Sequence, residues 1–387
     1  MIPAARPAAT LLGYYDKRNL GDDVFCHLFA QALKQRGYAD VYLPNTAPEL
    51  RRAVGGAAPI GTRRSIDRSR LVVMGGGGLL GFGLPGPREH AAFRYYSRVA
   101  WYCRLRGVPL YALSVGAGPF STARSRRAAQ RIAALAHAVV VRDEPSHAAL
   151  TEGRPALAQK VRTMADVALC LDPSTVPAVE SFALPRPCLG VNLCACTSFG
   201  TGPRAADANR AVISTVAAML REGTIASVIW FSTASWGDEL LWACRAHQST
   251  PGPSRVVFYD RDPWEWIARL RACDAFLSMK LHSGVFAAAM GVPVMGIGSH
   301  PKAARFYDAV GAVGAHRSLG DMTVGEIGEF IRSRYPGATG LAGTDRWHAL
   351  QRQARAVFEV IPPAGTSQPQ LVEARSRLHC ADPVGAT

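Results

Sequence analysis

No stretch of this chain reaches the ~20 uninterrupted apolar residues that a membrane-spanning helix needs. The most apolar region, residues 275–298, is broken by Lys280 and His282. The opening segment, MIPAARPAATLLGYYD, lacks both the charged leader and the long apolar core of an export signal. A cytoplasmic protein is the expectation. A paired cysteine pattern is missing too: the nine cysteines are odd in number and scattered, several inside apolar runs, which argues against a disulfide framework. Cys194 and Cys196 form CxC with no second pair at zinc spacing, so no metal site is expected. Lysine is scarce, at five positions among 44 basic residues, and arginine therefore carries most of the net charge of +15. Such a charge asks for anionic partners, whether nucleic acid, phosphorylated substrates or an acidic membrane surface. Apart from short clusters at 63–70 and 124–131 the arginines are scattered, without the aromatic-interleaved stripe of single-strand binders. No nucleic-acid partner is expected.

What is present is a long alternation of apolar runs and amphipathic segments. With 387 residues, 48% of them hydrophobic, the chain is too long for one ordinary core and suits two domains. Ala9 to Tyr15 reads as a first strand, and DKRNLGDD leads from it into an amphipathic helix over about 24–36. Asn19, Gly21 and Asp22 suit a tight loop at that helix's N-terminus, either as a simple cap or as a site for an anion. RLVVMGGGGLLGFG supplies a buried strand, Leu71 to Met74, and four glycines, Gly75, Gly76, Gly77 and Gly78, that allow a ligand or another backbone to approach closely. The run matches neither GxGxxG nor a P-loop.

Strand 108–115 closes on a second glycine-rich tip, GAGPF, and strand 138–141 ends on Arg142 and Asp143. Arg142 either grips a carboxylate or phosphate with two hydrogen bonds or forms a salt bridge to Asp143 or Glu144. ADVALCLDP, from Asp166 on, reads as the last strand of this half. A proline-rich stretch follows. The resulting expectation is an N-terminal domain over 1–175, a linker over 176–187, a C-terminal domain over 188–361 and a weakly ordered tail over 362–387. The second half repeats the alternation, with strands at 188–193, 226–231 and 255–259 and a polar loop after the first of them. Pattern alone predicts two doubly wound, Rossmann-like α/β domains facing each other across a cleft.

The focal stretch is CDAFLSMKLHSGVFAAAMGVPVMGIG, residues 273–298. A buried strand, Ala275 to Met279, is followed by Lys280 and His282, a small-residue helix and a second strand, with Ser299 as the expected cap of the helix after it. In a parallel sheet ligands bind at the carboxyl ends of strands, which is where Lys280 and His282 stand. His282 is placed there either for chemistry or to cap and pack the helix.

Taken in order, GYYDKRNLGDD, VVMGGGGLLG, SVGAGP, VVVRDEPS, ADVAL, GVNL and SMKLHSGVFAAAMGVPVMGI followed by PKAARFYDAVG resemble the polysaccharide pyruvyltransferase family over roughly residues 9–312. The resemblance implies a two-domain GT-B-like fold, with the N-terminal domain on the acceptor side and the C-terminal domain on the donor side. It also implies transfer of a pyruvyl group from phosphoenolpyruvate to two hydroxyls of a sugar or glycoconjugate, giving a cyclic ketal and phosphate. Phosphoenolpyruvate is then a co-substrate, and no cofactor is required. His282 matches the family's motif histidine as general acid/base, and Arg142, counted with it as catalytic, is with Lys280 a candidate fixed cation for the donor's phosphate and carboxylate. Lys280, Asn19, Gly21, Asp22, Gly76, Gly77 and Ser283 become the substrate-binding set. Family members commonly carry arginine where Lys280 stands, and lysine keeps the charge without the planar, two-pronged grip. A lipid-linked acceptor would bring peripheral contact between the arginine clusters and an anionic membrane surface. The competing expectations are a GT-B glycosyltransferase using a nucleotide-sugar donor and a non-catalytic anion-binding protein.

Overall fold

A computed structural model describes residues 6–15, 17–81, 87–180, 182–193, 202–298, 301–318, 323–335 and 340–366. Cys194, Cys196, most of the polar loop after them, Ser299 and the tail beyond Thr366 lie outside the described residues. The chain divides into two compact units. One takes the chain up to Lys17, Asp22–Val167 and everything from Gln353 on; the other takes Arg18–Gly21 and Ala168–Arg352. Among the described residues no helix is long and apolar enough to cross a membrane.

The first unit runs β1 (Ala8–Leu12), α1 (Leu20–Gln35), β2 (Asp40–Tyr42), α2 (Pro48–Ala53), α3 (Thr62–Arg68), β3 (Leu71–Gly75) and α4 (Pro87–Arg106). It continues through β4 (Leu110–Val115), α5 (Ala123–Leu135), β5 (Ala138–Val141), α6 (Glu144–Thr151), α7 (Pro155–Ala158) and β6 (Val161–Thr163). All pairings are parallel, in the order β2-β1-β3-β4-β5-β6. Strands β1, β3 and β4 are buried at every position, as a sheet covered on both faces requires. Val72, Met74, Ala112, Val139 and Val141 form one core with the inner faces of α4 and α5, and each of the valines and the methionine contributes roughly 1.5–3 kcal/mol over its exposed state. Helix starts follow from local chemistry. Thr122 accepts a hydrogen bond from the Ser125 N–H to cap α5, and Asp143 accepts one from the Ser146 N–H to cap α6.

The last strand of this half is β6, not the ADVAL segment. Val167–Cys170 forms a 3-10 turn instead, with the Val167 N–H donating to the Ser114 hydroxyl at 3.1 Å. An apolar run of that length suits a buried strand or a buried turn equally, and the shorter, half-polar VRT takes the sheet edge.

The second unit runs β7 (Cys188–Asn192), α8 (Gly202–Arg221), β8 (Ser227–Ser232), α9 (Asp238–Ser249), β9 (Ser254–Phe258), α10 (Pro263–Arg269), β10 (Ala275–Ser278) and α11 (Leu281–Ala289). β11 (Val294–Gly298), α12 (Pro301–Ala309), β12 (His316–Ser318), α13 (Val324–Arg334) and α14 (Asp345–Glu359) complete it, with the end of α14 belonging to the first unit. Its sheet is again parallel, in the order β12-β11-β10-β7-β8-β9. Val191, Trp230, Leu277 and Ile297 pack with Val212 and Val216 of α8 and Ile331 of α13. The proline-rich stretch is fastened to this unit: Arg271 donates to the carbonyls of Pro173, Val176 and Pro177.

Candidate functional site

Two parallel sheets have two topological switch points, where strand order reverses and connections leave in opposite directions. In the first sheet that point lies between β1 and β3, in the second between β7 and β10. Most of the residues singled out in the sequence gather at these points, each set within its own unit, while Arg142 follows β5, two strands from the first point.

In the second unit, β10 ends at Ser278 and α11 begins at Leu281, so Lys280 and His282 straddle the strand-to-helix turn. The Lys280 ammonium lies 2.5 Å from Glu239 Oε2 and 2.7 Å from Thr233 Oγ1. Glu239, in the first turn of α9, is buried, with its side chain 5% exposed against 33% for Lys280. Its other oxygen accepts hydrogen bonds from Asn192 Nδ2 at 2.9 Å and from the Thr233 N–H at 2.7 Å. With the Thr233 hydroxyl also donating at 3.0 Å, this is a buried carboxylate with four kinds of donor, one of them a cation, the satisfied form of an otherwise costly charge. Asn192, the last residue of β7, also receives the Ser283 hydroxyl on its Oδ1 at 2.8 Å. Ser278 Oγ lies 2.8 Å from Ser283 Oγ, and its hydroxyl donates to the Lys280 carbonyl. The turn carrying His282 is thus tied at both ends to β7, β8 and α9.

His282 itself is half-buried, its ring stacked on Phe286 one helical turn on, with centroids 6.1 Å apart and planes at 23°. It also lies against Gly21, where a β-carbon would collide with Nδ1. Gly21 belongs to the short segment that joins the second unit, and the segment is fixed there by the Leu20 N–H donating to the Thr233 carbonyl at 3.3 Å. Asn19 Oδ1 accepts from the Gly21 N–H at 3.0 Å, an Asx turn that sets the start of α1. Asn19, Gly21, Lys280, His282 and Ser283 are therefore brought together, with Thr233, Glu239 and Asn192 beneath them.

In the first unit, Asp22 in the opening turn of α1 faces the glycine loop after β3: a β-carbon on Gly77 would lie 2.7 Å from Asp22 Oδ1. Gly76 and Gly77 both have φ of +71°, which glycine adopts without steric cost. Gly76 lies against the Phe25 ring. The loop is hydrogen-bonded to the end of β4, the Gly116 N–H donating to the Gly77 carbonyl at 2.7 Å. Gly116 in turn lies under the Arg142 guanidinium. Arg142 is 6% exposed and pairs at 2.9 Å with Asp166, rather than with Asp143, which caps α6, or Glu144.

Glu239, Thr233 and Asp166 were not singled out from the sequence. Glu239 sits in GDELL, where an acidic residue in a helix's first turn is ordinary dipole chemistry, and nothing local marks it as a partner for Lys280 forty-one positions away. Asn192 carried a signal: a polar residue ending a fully buried strand, GVN.

Sheet order, parallel pairing and two successive α/β units define the class, a GT-B-like enzyme fold. The polysaccharide pyruvyl transferase model matches residues 19–301, and the chain belongs to that family. No curated protein sequence matches it. Among solved structures, a putative UDP-N-acetylglucosamine 2-epimerase from Listeria monocytogenes is similar at a TM-score of 0.60 and 11% identity, over 98% of each chain. UDP-GlcNAc 2-epimerase from Methanocaldococcus jannaschii is similar at 0.57 and 9% identity, over 91% of this chain and 99% of that one. Anabaena Alr3699/HepE, solved in complex with UDP, follows at 0.55 and 14%, over 96% and 100%. At these identities the likeness is one of fold.

Proposed function

We propose that this transferase moves a pyruvyl group from phosphoenolpyruvate to two hydroxyls of a sugar or glycoconjugate. One acceptor oxygen bonds to the central carbon of the enol as the methylene carbon takes up a proton. The second oxygen bonds to the same carbon as phosphate leaves, so the two hydroxyl protons end on the new methyl group and on phosphate. The observation that supports this reading most is the position of His282, within the family match, at a strand-to-helix turn held by Lys280, Ser283 and Asn192. A histidine titrates near neutrality and suits both proton removal from a hydroxyl and proton delivery to carbon.

The donor carries a phosphate and a carboxylate and calls for fixed cations. Of the three N–H donors of Lys280, two are directed to Glu239 and Thr233, and we assign the third to a donor oxygen. Arg142, aligned by Asp166 within the first unit, is a second fixed cation suited to an anionic group. Asp22 with Gly76 and Gly77 is assigned to the acceptor hydroxyls, since a carboxylate beside a loop without β-carbons suits a polar sugar edge.

The test is to incubate the protein with phosphoenolpyruvate and a panel of sugar acceptors, follow phosphate release and weigh the products. An acceptor gaining the mass of a ketal-linked pyruvyl group, with one phosphate released per product, is the expected result. His282→Ala should lower the rate by roughly 10²–10⁴ while phosphoenolpyruvate still binds. No binding of phosphoenolpyruvate, together with a thermal shift by uridine diphosphate, would overturn the reading.

A further inference from the structure

The exposed side of α4 carries a continuous stripe. Arg94, Arg98, Trp101 and Leu105 follow one another at four- and three-residue spacing, directly opposite the buried residues Tyr96, Val99, Ala100 and Cys103 of the same helix. Trp101 is 59% exposed and Leu105 62%, among the largest exposed apolar side chains described. The neighbouring helix α5 adds Arg124, Arg127 and Arg131 on its own outer face, and the five arginines line one cavity of about 640 Å³ between the helices. Among the described residues no ion pair neutralises any of the five. Glu89, in the first turn of α4, is buried and accepts from the Ser121 and Ser125 hydroxyls. Arg126, on a different, partly exposed face of α5, is the arginine of that helix that pairs, with Glu152 at 2.8 Å.

We infer that this α4–α5 face docks on the surface of an anionic lipid bilayer. Five guanidiniums around one concavity fit phosphate-bearing headgroups, and their long apolar stems let the charges stay in the headgroup layer. Trp101 and Leu105 decide between a bilayer and a soluble polyanion. A bilayer has an apolar layer under its phosphates that accepts an indole and a leucyl group, whereas a polysaccharide or nucleic acid offers Leu105 nothing. The inference does not depend on the transferase reading, and its test reads binding alone.

The full chain is sedimented with phosphatidylcholine vesicles and with vesicles containing phosphatidylglycerol, at low and high salt, and heparin serves as the soluble polyanion. Binding to anionic vesicles that falls with salt, and none to neutral vesicles, is expected. Brominated lipid should quench indole fluorescence in the native protein and not in Trp101→Phe. Removing three charges in Arg124→Gln/Arg127→Gln/Arg131→Gln should weaken partitioning about a hundredfold. Trp101→Ser/Leu105→Ser should weaken vesicle binding about tenfold and leave heparin binding unchanged. The control Arg221→Gln/Arg255→Gln/Arg317→Gln, which removes equal charge elsewhere, should change partitioning less than about twofold. Equal losses in the two triple variants, or vesicle binding indifferent to Trp101 and Leu105, would overturn the inference.

Discussion

At the scale of single residues, His282 depends on what is missing at Gly21 as much as on what surrounds it. The ring lies where a β-carbon of residue 21 would be, so Gly21→Ala must displace either the imidazole or the segment bonded to Thr233. The expected outcome is a rate loss of about 10²-fold with overall folding retained, which kinetics and a thermal melt on the same sample would separate. Lys280 and Glu239 make a second prediction. Glu239→Gln leaves the ammonium without its counter-charge and should cost roughly 2–3 kcal/mol in urea unfolding, less than the roughly 3–5 kcal/mol of a broken fully buried pair because Lys280 is partly exposed. Glu239→Gln/Lys280→Met, which removes both charges, should recover about half of that loss. Lys280 was legible as a strand-end cation; its partner was not, because a contact between positions 239 and 280 exists only once β7, β8 and β10 lie side by side.

Among elements, the junction of α12 with β12 carries a buried histidine whose protonation should make stability depend on pH. His316 opens β12, is buried, and stacks on Tyr307 of α12 with centroids 5.3 Å apart. Burial lowers its pKa below the usual 6.5, and Asp308 offsets this only in part. A histidine whose folded pKa is depressed binds its proton more weakly than in the unfolded chain, so its contribution to stability is intact above about pH 6.5. That contribution is lost as pH falls from there toward the lowered folded value. Melting temperatures measured between pH 8 and 5 should decline on acidification, and His316→Gln should flatten part of the decline. The same element was hidden in the sequence: three residues, HRS, with two of them exposed, have no apolar alternation to read.

At the scale of the molecule, the chain does not pass once from one unit to the other. After completing the second unit it returns, α14 ending among first-unit residues with Phe358 edge-on to Phe29. The segment after it is fastened there. The Pro362 carbonyl accepts from the Tyr38 hydroxyl at 3.1 Å, the Ala364 carbonyl from Arg70 at 2.6 Å, and the Ala364 N–H donates to the Arg36 carbonyl at 2.8 Å. Ending the chain after Ile361 should therefore destabilise the first unit by about 2 kcal/mol and lower the corresponding melting step by several degrees. Arg70→Ala should reproduce roughly a third of the effect, measured by calorimetry.

Sequence by itself determined the two α/β units, most of their elements and the motif positions, because strand burial, helix periodicity and glycine at strand ends are local properties. It also carried the family, through ordered short motifs. Tertiary structure alone decided the partners: Glu239 for Lys280, Asp166 for Arg142, Gly21 for His282, and the return of the last helix to the first unit. Each of these joins residues far apart in the chain, and such contacts are set by the order in which parallel strands assemble, which no local pattern encodes.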